Sequence, residues 1–149
     1  VVGEIMWAMT RSTIYATVML GVVTALGLTH SWYAIFVPFL GAMGGMMFAI
    51  LGLTYTSFLN SIDQSNFFFT LFITPLFLFS GVFYPIDALP EIVKTIAFVS
   101  PLYHLVEIIR PLVVGNIGYG ILLHLAWMIV FVLIFTAVPV NLLRKKLVK

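Results

Sequence analysis

His104, Glu107 and Arg110 follow one another at intervals of three inside an otherwise apolar stretch, Tyr103-His104-Leu105-Val106-Glu107-Ile108-Ile109-Arg110. On a helix that spacing lets all three share one face and pair along it. Ionisable groups near hydrocarbon are expensive to keep and mark functional positions by default. Two readings fit them: a polar seal or gate on an exit path, with Tyr103 beside it at the interface, or a self-neutralising Glu107–Arg110 pair that only lets the segment tolerate its depth. Metal chemistry is poorly supplied, since one histidine and one carboxylate fall short of a ligand set. The absence of cysteine excludes disulfides and thiolate sites. A second constellation, Glu4, Trp7 and Arg11, falls on one helical stripe at i, i+3 and i+7. It reads either as an interfacial helix that docks a partner protein on the cytoplasmic face or as the frayed end of a preceding span with an ordinary membrane-border Arg and Trp. His124, near the outer end of the last apolar stretch, reads as a packing histidine.

The elements that must position these residues are apolar helices. Of 149 residues 62% are hydrophobic and 8% charged, too little charge to cover a soluble surface, so the chain is expected to be an all-α polytopic membrane protein. About 20 mainly apolar residues cross a bilayer core, and four stretches qualify: residues 12–29, 33–58, 67–84 and 119–140. His30-Ser31 forms a short turn before the interfacial aromatics Trp32 and Tyr33, and the polar run 60–66 separates the second and third spans. In the second span Gly41 and Gly45 make a GxxxG, a spacing that permits close helix approach within the subunit or across a dimer. Pro75 is expected to kink the aromatic-rich third span and free a carbonyl there. Its phenylalanines either line a path for an amphiphile or face lipid.

Residues 85–118 cannot form one straight span. They carry Asp87, Glu91, Lys94, His104, Glu107 and Arg110, and Pro90, Pro101 and Pro111 interrupt them. Two short helices fit better, the first capped by Asp87 and the second starting at Ser100-Pro101 and ending at Gly115. Broken backbone at membrane depth needs protein or a water-filled cavity around it, so the pair reads as a re-entrant hairpin. Four crossings return both ends to one side. Arg11 at one end and Arg144, Lys145, Lys146 and Lys149 at the other make that side cytoplasmic and the hairpin extracellular, with 141–149 a basic tail. The net charge of +2 is too small and too confined to the ends for nucleic-acid binding. No G-x-x-x-x-G-K-[ST], G-x-S-x-G or H-E-x-x-H occurs, so neither P-loop nucleotide binding nor a hydrolase motif is supported. The chain opens in mid-pattern with Val1-Val2-Gly3-Glu4, as expected of a piece of something longer.

The runs Leu78-Phe79-Ser80-Gly81-Val82-Phe83-Tyr84-Pro85, Leu89-Pro90 and Ser100-Pro101-Leu102-Tyr103-His104-Leu105-Val106-Glu107-Ile108-Ile109-Arg110 together resemble the C-terminal half of ABC-2-type exporter permeases. Glu4 to Ser12 looks like the segment these permeases carry before their third span. Thr70 to Pro75 and the Pro-Leu-Tyr-His-Leu-Val-Glu run are most similar to the branch of the nodulation lipo-oligosaccharide exporters. The resemblance implies six spans in the whole protein, a permease homodimer in the bacterial inner membrane, and a separate cytoplasmic ATPase. That ATPase carries the ATP and magnesium, so no cofactor and no enzymatic activity belong to this chain. It implies that Glu4, Trp7 and Arg11 lie on a cytoplasmic coupling helix, residues 1–11. It also implies that Pro85, Pro101, Tyr103, His104, Glu107 and Arg110 belong to extracellular gate helices, and that Gly41, Gly45 and Gly81 serve helix packing. Pro111 departs from the family pattern, where a small or apolar residue is more usual. The implied activity is export of an amphiphile such as a lipo-oligosaccharide, a polysaccharide lipid or a hydrophobic drug. A secondary transporter or channel subunit with a re-entrant loop, and a structural assembly protein, are the alternatives.

Overall fold

In the computed structural model, Asn60, Ile62, Val148 and Lys149 lie outside the described residues, as do the side chains of Leu143, Lys146 and Leu147. Parts of the expected polar loop and of the basic tail therefore fall outside them. Among the described residues all regular structure is helical: α1 (Val2–Ala25), a 3-10 turn (Trp32–Phe36), α2 (Val37–Phe58), α3 (Asp63–Phe68), a π turn (Phe69–Ile73), α4 (Thr74–Leu78), a second 3-10 turn (Ile86–Ala88), α5 (Glu91–Val99), α6 (Pro101–Val114) and α7 (Gly120–Leu147).

No break separates residues 1–11 from the first expected span, because nothing between Arg11 and Ser12 interrupts a helix; α1 runs through both. Three of its threonine hydroxyls bond backward within the helix, Thr10 to the Met6 carbonyl, Thr13 to Met9 and Thr17 to Thr13, so they add little polarity to the surface. The helix stops where Gly27 takes a φ of 72°, with its N–H bonded to Thr24 and that of Leu28 to Val23. These two bonds satisfy the last carbonyls.

The central element is α2. Pro38 stands in its first turn, and Val37, Leu40, Gly41, Gly44, Met47 and Ile50 are buried at helical spacing. Leu40 and Met47 join Ile108 and Leu112 of α6 and Met128 of α7 in one apolar cluster, while α1 packs along the other side of α2. Among the described residues two helices are long and apolar enough to cross a membrane, Trp32–Phe58 and Gly120–Leu142. Within their most apolar stretches 39% of the first is buried against 6% of the second, which leaves most of α7 facing outward.

Two expectations change. The stretch 67–84 is not one helix: helical structure begins at Asp63, whose carboxylate suits a helix N-terminus, and ends at Leu78. Phe79 to Tyr84 instead form a turn about Gly81, whose φ is 84°. Pro75 has no N–H and its ring crowds the carbonyl four residues back, so the helix widens just before it. Thr74 bonds the Phe69 carbonyl from both its N–H and, at 3.1 Å, its hydroxyl. Asp87 does not cap α5. Pro90 restricts Leu89 to extended backbone and itself occupies the N-cap, which leaves Asp87 in the preceding 3-10 turn.

Helices α5 and α6 meet at 89° across Ser100. Ser100 stands at the N-cap of α6, Pro101 in its first turn and Gly115 at its C-cap with a φ of 93°. Pro111 is accommodated within α6, which continues to Val114. The turn after α1 is tied to the end of α6 by a bond from His30 N–H to the Val113 carbonyl. Helix α7 continues past residue 140, so Arg144 and Lys145 extend the helix instead of forming a separate tail.

Candidate transport site

The three residues spaced along α6 do not act as one row. His104 is 1% exposed and turns toward α7. Its Nε2 lies 2.7 Å from the Phe98 carbonyl and its Nδ1 lies 2.7 Å from Nδ1 of His124, and its ring stacks on Trp127 with centroids 4.0 Å apart. A carbonyl can only accept, so Nε2 of His104 carries a proton; burial favours the uncharged ring, which leaves Nδ1 to accept from His124. His124, read from the sequence as a packing histidine, is thus the partner of His104. Trp127, one turn along α7, continues the aromatic layer to Phe131. Tyr103 stands edge-on to both imidazoles, at 5.3 and 5.7 Å between centroids.

Glu107 and Arg110 do pair, with Nη1 to Oε1 at 3.6 Å, and both side chains are partly exposed. The stronger contact of Arg110 is elsewhere: its Nη2 donates to the Gly81 carbonyl at 2.5 Å. That bond fastens α6 to the turn after α4, and Gly81 can present its carbonyl there because it lacks a side chain in the left-handed conformation. Beside it, Ser80 is fully buried and its hydroxyl bonds the Phe77 carbonyl at 2.8 Å. Pro85 leads into the 3-10 turn of Ile86–Ala88, and Pro101 is buried in the first turn of α6. Glu91 and Lys94 pair at 3.2 Å on the exposed side of α5, where such a pair contributes little.

At the opposite end, Glu4, Trp7 and Arg11 line one groove of about 610 Å³ between the first half of α1, the second half of α2 and Phe69. Arg11 reaches Tyr15, at 3.4 Å to its hydroxyl and 5.7 Å from its ring centre. The GxxxG is spent within the subunit. A Cβ on Gly41 would stand 2.5 Å from the Cβ of Ala16, and one on Gly45 2.6 Å from that of Ser12. Ser12 Oγ donates to the Gly41 carbonyl at 2.6 Å across the same contact.

Residues 1–114 match the model of the family described as ABC-2 type transporter. The chain belongs to that family. Among its relatives are the nodulation protein J of Rhizobium leguminosarum bv. viciae, 36% identical over all of this chain and 58% of the relative. That of Sinorhizobium fredii is 31% identical over 99% of this chain and 56% of the relative, and that of Bradyrhizobium diazoefficiens is 27% identical over all of this chain and 57% of the relative. The chain spans just over half the length of these relatives and aligns with their C-terminal part. No solved structure matches it. The family and the apolar helices together make it a segment of a membrane protein. Charged groups meet its apolar helices at the α5–α6 bend and in the Glu4–Arg11 groove, among other places.

Proposed function

We propose that this chain is the C-terminal part of the permease subunit of an ATP-driven exporter that moves an amphiphilic substrate out of the cytoplasm. In this reading α1 beyond Arg11, α2, the α3–α4 rod with its following turn, and α7 are four crossings. Both ends of the segment are cytoplasmic, in the bacterial inner membrane. The α5–α6 hairpin lies on the outer side as a gate, and Glu4, Trp7 and Arg11 meet a cytoplasmic ATPase that carries ATP and magnesium. A permease homodimer completes the path. The observation that carries the reading is the right-angled α5–α6 pair, too bent for one rod and fastened to the Gly81 turn through Arg110. Its movement requires that fastening to yield together with the packing of Ile108 and Leu112 against α2 and α7, a change between two discrete arrangements of the kind a gate uses. The substrate class rests on the similarity to the nodulation permeases and on the aromatic lining of the third segment, which suits an apolar chain rather than an ion.

Purification of the complete protein from its native membrane tests this. We expect an ATPase subunit to accompany it, and its hydrolysis to rise when a lipo-oligosaccharide is added. Flux that follows an ion gradient, with no ATPase in the complex, would reject the exporter in favour of a secondary transporter.

A further inference from the structure

Helix α6 is joined to α7 by an imidazole pair that has no part in the proposed export cycle. Nδ1 of His104 and Nδ1 of His124 stand 2.7 Å apart. Because Nε2 of His104 donates to the Phe98 carbonyl, the neutral pair has a single arrangement: His124 donates from Nδ1, and its own Nε2 is left bare. His124 makes no other hydrogen bond among the described residues, and Ser100 Oγ is the only buried side-chain polar atom there without a partner. Nε2 of His124 is therefore not buried. It is a base that a proton can reach without either helix moving.

Adding that proton costs no existing bond. The His124 imidazolium still donates from Nδ1, and a hydrogen bond from a charged donor is shorter and roughly twice as strong as a neutral one. A second proton has to enter on Nδ1 of His104, where it sets two N–H groups and two positive charges face to face. His104 resists it. The residue is 1% exposed, and burial holds its ring below the ordinary histidine range; the bond to the Phe98 carbonyl opposes this, and a charge on His124 adds to it. The surroundings favour one positive charge. Tyr103 stands edge-on to both rings, and burial followed by the charges of Glu107 and Asp87 pushes its hydroxyl up, so both carboxylates act at this place. Arg110 opposes them but is drawn to Glu107 and to the Gly81 carbonyl. Glu91 and Lys94 offset each other on the exposed side of α5. Helix α2 meets α6 and α7 with Leu40, Met43 and Met47, which carry no charge, and Trp127 of α7 covers the His104 ring at 4.0 Å.

We infer that His104 and His124 form a one-proton site that fastens α6 to α7, so that acidification tightens the hairpin against the last helix. The fastened state binds the proton more tightly than the parted one, so lowering the pH through the imidazole range favours it. That the proton comes from water on the outer side rests on the hairpin placement proposed above.

Hydrogen exchange on the complete transporter in nanodiscs, without ATP or substrate, tests this. Nanodiscs put both membrane faces in one buffer, so the outcome does not depend on which side the hairpin occupies, and export can fail while the site stands. After division by the chemical exchange rate, protection of residues 102–110 should rise about five-fold from about pH 8 to about pH 6, the gain from charging one hydrogen bond. Protection of residues 13–20 in α1 should stay constant. His124→Asn keeps a donor near the Nδ1 position and does not titrate, so its protection should hold at the wild-type value of about pH 8 throughout. His30→Asn, at the third histidine of the sequence, should keep the full response. Protection of 102–110 that stays constant or falls in wild type, or a rise that survives His124→Asn, overturns the proposal. If His124→Asn does not fold, nitrogen-15 spectra of histidine-labelled wild type decide alone. The pair, found by magnetisation transfer between the two rings, should show two bare ring nitrogens at about pH 8 and one at about pH 6. Two bare nitrogens at the lower pH, or none, overturns the shared proton.

Discussion

Replacing Gly41 by alanine tests how α1 and α2 are held together. The new methyl carbon would stand 2.5 Å from the Cβ of Ala16, about 1 Å inside the 3.5–4.0 Å at which carbons attract. Ala16 has no longer side chain to swing away, and the next nearest atom is the Ser12 backbone carbonyl at 3.3 Å. The helices must therefore separate. Overpacking of this kind costs about 1–3 kcal/mol, and separation also stretches the 2.6 Å bond from Ser12 to the Gly41 carbonyl. Gly52 on the same helix is the control, since a Cβ there meets nothing within 4 Å. Its replacement by alanine should be neutral or stabilise by up to about 1 kcal/mol through helix propensity. Denaturant unfolding of the complete protein in mixed micelles reads both, with oligomeric state followed in parallel. Gly41→Ala should be destabilised by about 1–3 kcal/mol without a change of oligomeric state. Wild-type stability with loss of a dimer would refute the intramolecular packing and return the GxxxG to a subunit interface.

Other outcomes rest on named contacts. His124→Ala leaves the buried Nδ1 of His104 without its donor, a loss of about 1–3 kcal/mol, and a double-mutant cycle with His104→Phe should show the two losses to be non-additive; additivity would deny the pairing. Arg110→Lys keeps the charge but not the planar reach to Gly81, so limited proteolysis should open the 79–85 turn, and Arg110→Ala should impair export while insertion stays intact. Glu107→Gln should likewise impair export if the pair gates a path; wild-type export by both Glu107→Gln and Arg110→Ala would leave the pair structural. Trp7→Ala with Arg11→Ala should reduce the ATPase recovered with the complete protein, and full recovery would end the coupling role proposed for that groove.

Much of the frame was readable because it depends on local chemistry. Gly115 ends α6 since a glycine tolerates a φ of 93°, and Ser100-Pro101 begins it since proline suits the first turn. The turn at Gly81 was less visible. Its aromatic surroundings read as a continuing span, and the apolar average of residues 67–84 hid the Ser80-Gly81 break. The row of His104, Glu107 and Arg110 was a fair helical inference with one wrong partner. A residue three positions on is displaced around the helix, far enough for His104 to face α7 while Glu107 and Arg110 remain at the edge.

By itself the sequence determined that apolar helices dominate, where prolines and glycines interrupt them, and that charge gathers at the chain ends and in the hairpin. Those follow from composition, period and backbone stereochemistry, which act over a few residues. Only the tertiary structure decided that Gly41 and Gly45 meet Ala16 and Ser12, that His104 pairs with His124 rather than Glu107, that Arg110 grips Gly81, and that Ser100 Oγ is buried without a partner. Each of these depends on which helix lies alongside and at what rotation. Helical spacing specifies a face, and packing against a neighbour specifies what that face touches.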